Sequence, residues 1–271
     1  MTPSLKSSLL YASQTTNPVG TLIRQAHSLI NSTLELLFPI RSEKKLVSTS
    51  NIDEELTKLE CTLITMLSAL PALPASPSSI SKDFITALEE IRSHLELDAE
   101  AMLKGDPAAH SADEVILCYP GFLSLGAYRL AHRLHQLSVP LLPRIITEYA
   151  HRETGIDIHP GAIIGSSCCI DHGTGLVIGE TSIIGNNVRF YQGVTLGGMV
   201  VSKDMANKKR HPTIGNNVVI YANATILGGE TIIGDNCIIG GSVWLTSSVA
   251  ANSTVYHRAE TIFKNSAEKL S

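Results

Sequence analysis

Residues 177–190 read Val177-Ile178-Gly179-Glu180-Thr181-Ser182-Ile183-Ile184-Gly185-Asn186-Asn187-Val188-Arg189-Phe190, and an aliphatic or aromatic side chain returns every sixth place. The same period runs outward in both directions. Ile158, Ile164 and Ile170 are six apart, as are Ile178, Ile184, Phe190 and Leu196, then Ile214, Ile220 and Ile226, then Ile233, Ile239 and Leu245. Glycine follows many of these positions, as in Ile164-Gly165, Ile178-Gly179, Ile214-Gly215 and Ile239-Gly240. A helix repeats near 3.6 residues and a strand at 2, so neither accounts for a six-residue repeat. A β-sandwich with regular turns is the competing architecture, but it has no reason to keep one period through several separate runs. The period is that of a hexapeptide β-helix.

Each hexapeptide of such a solenoid supplies a short strand and a corner, with the sixth-place side chain pointing inward. Gly, Asn and Asp suit the corners because they tolerate backbone conformations that β-branched residues resist. Roughly 18 residues make one three-sided coil, so Gly155 to Val255 holds about five coils. The repeat breaks between Leu196 and Ile214, where Gly197-Gly198 leads into a polar segment carrying Lys203, Lys208, Lys209, Arg210 and His211. An excursion rich in basic groups points to a functional loop. A smaller break lies at Asp171-His172-Gly173-Thr174-Gly175, where the count from Ile170 to Ile178 overruns by two.

Ahead of the repeat the spacing is helical. Helices are expected over Gly20–Phe38, Ile52–Leu70, Phe84–Leu103, Ala112–Tyr119, a stretch striped by Leu123, Leu130, Leu134 and Leu137, and Pro140–Glu153. Residues 71–81, with three prolines and four serines, read as a linker. Residues 1–20 read as a disordered tail, since Lys6 and Arg24 are too sparse a positive charge for a transit peptide. The fold class is therefore α+β: an all-α helical domain over 21–153, a left-handed parallel β-helix over 154–257 with a loop at 198–212, and a C-terminal tail over 258–271.

The chain of 271 residues has a net charge of −4 and is 44% hydrophobic, which gives no case for nucleic acid or an anionic membrane. No apolar run is long enough to span a bilayer. Five cysteines, Cys61, Cys118, Cys168, Cys169 and Cys237, form no Cys-x-x-Cys pair, which fits reduced thiols and a cytoplasmic location. One of Cys168 and Cys169 is expected to face the solenoid interior.

His172 sits at the over-long corner, with Asp157 about one coil upstream. Stacked coils lie about 4.8 Å apart, so a carboxylate one layer away can reach an imidazole, and Asp–His is a general-base pair. Surface hydrogen bonding is the plainer use of such a pair. Metal is the rival use: His159, His172 and His211 would have to converge as in solenoid carbonic anhydrases. Their spacing does not favour it, and no metal is expected. There is no Gly-x-Ser-x-Gly elbow, P-loop or dinucleotide fingerprint.

Several blocks together resemble the serine O-acetyltransferases. They are Asp157-Ile158-His159-Pro160, Asp171-His172-Gly173-Thr174-Gly175, Val177 to Thr181, Gln192 to Gly198 and Arg210-His211-Pro212, with Asp98, Asp106-Pro107-Ala108, Gly121-Phe122 and Ala127-Tyr128-Arg129 upstream. The resemblance runs from about Asp98 to Leu245. It implies a β-helix that forms a homotrimer or a dimer of trimers. It implies transfer of acetyl from acetyl-CoA to the L-serine hydroxyl, the first step of cysteine biosynthesis, with cysteine competing at the serine site. His172 would match the general base, with Asp157 its partner. Asp106 and Asp171 would match carboxylates on the serine ammonium. Arg210 would match the ligand of the serine carboxylate, with His211 and Gln192 also at the substrate. Gly198, Ala222 and Gly241 would match backbone positions along acetyl-CoA.

The chemistry is coherent. A serine hydroxyl needs a positioned base as it attacks a thioester, and a zwitterion needs both signs of charge. Two departures stand out. The last coil reads Gly240-Gly241-Ser242-Val243-Trp244-Leu245, unlike the common Gly-Ala-Gly-Ser form. The chain ends Glu268-Lys269-Leu270-Ser271, without the terminal isoleucine that family members insert into O-acetylserine sulfhydrylase, which argues against that partner. The rival readings are a hexapeptide acyltransferase for another amino acid, sugar or drug, a metal-dependent solenoid carbonic anhydrase, and a non-catalytic scaffold.

Overall fold

A computed structural model describes residues 4–15, 20–199 and 208–258. Seven α-helices precede the strands among these residues: α1 (Leu5–Thr15), α2 (Gly20–Leu37), α3 (Thr49–Ser68), α4 (Pro77–Gly105), α5 (Ala112–Cys118), α6 (Pro120–Gln136) and α7 (Leu142–Thr154). Two boundaries differ from the sequence reading. Residues 5–15, expected to be disordered, form α1, whose Leu5, Leu9 and Leu10 recur near helical spacing but remain exposed. The stretch read as a linker to residue 81 ends sooner. Ser76 caps α4 by accepting from the Ser79 N–H, and Pro77 fills the first turn, where a missing N–H costs nothing. None of the described helices is long and apolar enough to cross a membrane.

The strands are short and return to the same sheet once per coil. The first sheet holds β1 (Asp157–Ile158), β4 (Val177–Ile178), β7 (Thr195–Gly197), β10 (Thr225–Leu227) and β13 (Trp244–Leu245). The second holds β2 (Ile163–Ile164), β5 (Ile183–Ile184), β8 (Thr213–Ile214) and β11 (Ile232–Ile233). The third holds β3 (Cys169–Ile170), β6 (Arg189–Phe190), β9 (Val219–Ile220), β12 (Ile238–Ile239) and β14 (Thr254–Val255). All pairings are parallel, so the chain winds a three-sided coil. The sixth-place residues stack in register: Ile158 beside Ile178, Ile178 beside Leu196, Leu196 beside Ile226. They are buried, as the period requires.

Corner chemistry explains the asparagines. Asn187, Asn217, Asn236 and Asn252 all take positive φ, between 56° and 61°. Their side chains form a ladder, each Nδ2 donating to the next Oδ1 at 2.9, 3.1 and 3.0 Å. Asparagine tolerates the left-handed region better than most residues, and the ladder satisfies its amide.

The first coil has no coil below it, and the helices cover that open edge. Tyr128 on α6 donates its hydroxyl to the Ala162 carbonyl at 2.7 Å and accepts from the Ile164 N–H at 3.2 Å. Next to it, Arg129 makes a two-point ion pair with Asp98 on α4, at 2.7 and 2.9 Å, and also donates to the Gly165 carbonyl at 2.9 Å. Asp98 in turn accepts from the Cys168 N–H at 2.9 Å. Asp98 is 0% and Arg129 6% exposed, so charge and backbone polarity are satisfied together inside the joint. Cys168 and Cys169 are both buried, and α4 packs against β3.

Removing one member of this buried pair leaves the other uncompensated. Asp98→Ala is expected to cost about 3–5 kcal/mol of unfolding free energy. Denaturant unfolding followed by circular dichroism checks this; a loss below about 1 kcal/mol would remove the pair from its structural role.

Candidate functional site

The sequence-expected residues gather at two corners of the coil, one at each end of the first sheet's strands. The first corner follows the third sheet. Here Gly193 N donates to Thr174 O at 3.0 Å, Asn223 N to Gln192 O at 2.9 Å and Ser242 N to Ala222 O at 2.9 Å. These bonds align Thr174, Gln192, Ala222 and Gly241 in one column. The first coil reaches the column two residues late, and the two extra residues are His172 and Gly173. They have φ of 58° and 79°. A histidine held at positive φ costs on the order of 1 kcal/mol, a strain that tends to persist at functional sites. The bulge pushes the His172 side chain outward, where it is 71% exposed.

Around His172 stand two carboxylates. Asp171 Oδ1 lies 3.6 Å from His172 Nε2. Asp106, the C-cap of α4, accepts from the Tyr119 hydroxyl at 2.5 Å and from the Ala108 N–H at 2.8 Å. The Tyr119 hydroxyl, the Ala108 amide and the charge of His172 together hold the Asp106 carboxyl below the usual carboxylate range. Asp157, expected beside His172, lies on β1 in register with Val177. The ionic contact of His172 is with Asp171. Asp157 instead groups with Glu148 and His151 of α7, their ligand atoms within 4.8 Å of one another. This is the one metal-type cluster found among the described residues. Its two helix members are exposed and Glu148 is already ion-paired with Arg144. His159, His172 and His211 do not join it.

The second corner lies between the first and second sheets, where the basic excursion rejoins the coil. Residues 200–207 of that loop, expected at 198–212, lie outside the described residues. Arg210 forms an ion pair with Glu180, and His211 is 9% exposed. Thr181 organises the turn: its hydroxyl accepts from the Arg210 N–H at 2.9 Å and the His211 N–H at 3.0 Å. The Thr181 N–H donates to His211 Nδ1 at 3.1 Å, which places the ring proton on Nε2. Burial, then the charges of Arg210 and Lys209, lower the His211 pKa to about 4. His211 is therefore a neutral Nε2–H donor at physiological pH, and the positive charge of this corner belongs to its arginine and lysines. Gly179 makes room for the ring, since a Cβ there would lie 2.0 Å from His211 Cδ2. His159 is close by and also neutral, burial lowering its pKa to about 4. Burial works to raise the Glu180 carboxyl, but its bond to Arg210 and the nearby positive charge prevail, and it stays ionised.

Of the three positions expected along acetyl-CoA, Ala222 and Gly241 share the His172 column, whereas Gly198 faces the Arg210 backbone at the second corner. Within one chain the two corners are separated by a full side of the coil, on the order of 20 Å for six extended residues. The sequence reading did not single out Glu180, Thr181 or Tyr119 as site residues. Arg210 meets Glu180 and Thr181 from the far end of the insertion, a contact that residue spacing does not encode. The Tyr119–Asp106 contact depends on how two helix ends cross, which carries no sequence period.

No family model matches the chain. A plasmid serine acetyltransferase of Synechococcus elongatus is 45% identical over 208 residues, 75% of this chain and 63% of that protein. A serine acetyltransferase of Helicobacter pylori is 50% identical over 130 residues, 48% of this chain and 74% of that protein. The chain spans about half the length of several other curated relatives. Among solved structures, serine acetyltransferase isoform 3 of Entamoeba histolytica in complex with cysteine matches with a TM-score of 0.76 and 33% identity, over 88% of this chain and 84% of that one. With this identity sustained across most of the Helicobacter pylori and Entamoeba histolytica proteins, the chain belongs to the serine acetyltransferase family.

Proposed function

We propose that this chain is a serine O-acetyltransferase, moving acetyl from acetyl-CoA to the L-serine hydroxyl as the entry to cysteine biosynthesis. The observation that carries the reading is the charge division between the corners: carboxylates Asp106 and Asp171 beside an outward His172 at one, Arg210 with a neutral histidine at the other. That is the complement of an α-amino acid bearing a hydroxyl. The cysteine held by the Entamoeba histolytica relative, an amino acid of serine's size, supports an acceptor of this kind.

In this reading Asp106 and Asp171 take the serine ammonium and Arg210 its carboxylate. Glu180 holds the guanidinium in place at this corner. His211 offers its Nε2–H, and Gln192 faces the same acceptor. His172 removes the hydroxyl proton as the serine oxygen attacks the thioester carbon. As the tetrahedral adduct collapses, the carbon–sulfur bond breaks and the proton passes to the departing thiolate. Asp157 is the orienting carboxylate that the resemblance implies, with Asp171 the nearer one in the free chain. The small residues Ala222 and Gly241, with Gly198, leave backbone groups open for the acetyl-CoA arm. No metal enters the scheme.

Since the two corners of one chain are a side of the coil apart, one site needs both from neighbouring copies. We therefore read the protein as a homotrimer, or a dimer of trimers, of left-handed coils, each site shared by two chains. The second sheet supports this: Ile163 and Ile183 are exposed side by side along it, with Ile232 exposed on the far side of Thr213. Both substrates are water-soluble and the cysteines are free thiols, which fits a cytoplasmic enzyme.

Thiol release from acetyl-CoA in the presence of L-serine tests the reading. His172→Ala should lower kcat by about 10²–10⁴ with acetyl-CoA affinity and particle mass unchanged. A folded His172→Ala protein within a few-fold of the parent would transfer the role of base to another group. Arg210→Ala should raise the KM for serine by about tenfold to a hundredfold, the worth of a charged hydrogen bond, and the KM for acetyl-CoA far less. Equal losses for both substrates would refute its assignment to the serine carboxylate.

A further inference from the structure

Asp106 is held more completely than a ligand of a small cation needs to be. Its two oxygens are each engaged, Oδ1 by the Ala108 N–H at 2.8 Å and Oδ2 by the Tyr119 hydroxyl at 2.5 Å. Tyr119 is itself fixed. It forms the junction of α5 and α6, its N–H donates to the Val115 carbonyl at 3.1 Å, and Pro120 follows it. The turn that carries Asp106 is anchored from the other side. Arg189, on β6 in the coil above β3, donates to the Gly105 carbonyl at 3.0 Å. A Cβ at Gly105 would lie 2.6 Å from that guanidinium, so a larger residue there would displace the arginine. The carboxylate is thus tied to the helices by Tyr119, and the turn that carries it is tied to the solenoid by Arg189, next to the corner that bears His172.

We propose that Tyr119 is a positioning residue for the amino end of the acceptor. Resting on the acetyltransferase reading, its hydroxyl orients the Asp106 carboxylate and so sets the preference for acceptors with an ammonium group beside the hydroxyl-bearing carbon. A carboxylate has about four acceptor directions, and the two bonds in place fix its plane and leave the others for the substrate. The Tyr119 proton stays on its oxygen, since its bond to Asp106 and then burial raise its pKa. Tyr119 therefore acts as a donor throughout the working range and does not compete for the ammonium. Without that donor the carboxylate turns freely and meets the ammonium only after losing rotational freedom.

The test compares the full chain with its Tyr119→Phe, Asp106→Asn and doubly substituted forms. The acceptors are L-serine and 3-hydroxypropanoate, which is serine without its ammonium. Where turnover of 3-hydroxypropanoate is undetectable, its competitive inhibition constant against serine replaces it. Tyr119→Phe should raise the KM for serine about tenfold, with kcat and the KM for acetyl-CoA within about twofold, and leave 3-hydroxypropanoate unaffected. The double form should discriminate no worse than Asp106→Asn alone, since both remove the same interaction. Calorimetric titration of both acceptors repeats the comparison without turnover, and circular dichroism reports folding. If Tyr119→Phe keeps the parent's discrimination, or weakens both acceptors equally, the inference is overturned while the acetyltransferase reading stands. If the parent itself fails to acetylate serine, that reading falls first, and the inference with it.

Discussion

A solenoid buries its backbone polar groups coil against coil, and the first coil has nothing beneath it. The rest of this structure depends on how that edge is closed. Tyr128 and Arg129 of α6 reach the exposed carbonyls and N–H of residues 162–165, and Asp98 of α4 completes the joint by taking the Cys168 N–H. Unpaired groups here would each cost roughly 1–3 kcal/mol and leave a template for aggregation. The closure also does something for the chemistry. By fixing α4 and α6 to the first coil, it fixes the end of α4, where Asp106 lies, relative to the corner of His172. Arg189 and Tyr119 make the same connection at closer range.

The two corners are opposites in construction. At the first, an insertion of two residues at positive φ costs strain and exposes an imidazole. At the second, the histidine is buried, neutral and hydrogen-bonded, and the fixed charge is an arginine held by a glutamate. In the proposed reaction the first corner moves a proton and the second holds a charge still. A prismatic coil cannot fold these corners onto each other, so the division of labour also explains why a symmetric assembly suits it. A heterologous contact around a threefold axis brings different corners of successive copies together and closes on itself.

Much of this was legible in the sequence because it is periodic. The six-residue spacing encodes the three-sided coil and its inward residues, and the overrun after Ile170 encodes the bulge at His172. Helix bounds were less legible where a start signal lay inside a proline-rich stretch: Ser76 and Pro77 cap α4 within what read as a linker. The exposed α1 has no burial to support it and so no strong amphipathic stripe to read. The pairing of Arg210 with Glu180 and of Tyr119 with Asp106 follows from an insertion's path and a helix crossing. Neither leaves a trace in residue spacing. Which carboxylate stands in contact with the His172 ring depends on the conformation of the bulge, which residue spacing does not encode.

The most direct test of the account is subunit complementation. His172→Ala and Arg210→Ala proteins, each crippled at a different corner, are unfolded, mixed in equal amounts and refolded together. If every site unites the first corner of one copy with the second corner of its neighbour, random assembly restores about a quarter of the sites, and activity should rise to about that fraction of the parent's. Activity no greater than the mean of the two separately refolded variants, in mixtures shown by mass to contain both chains, would contradict the shared site.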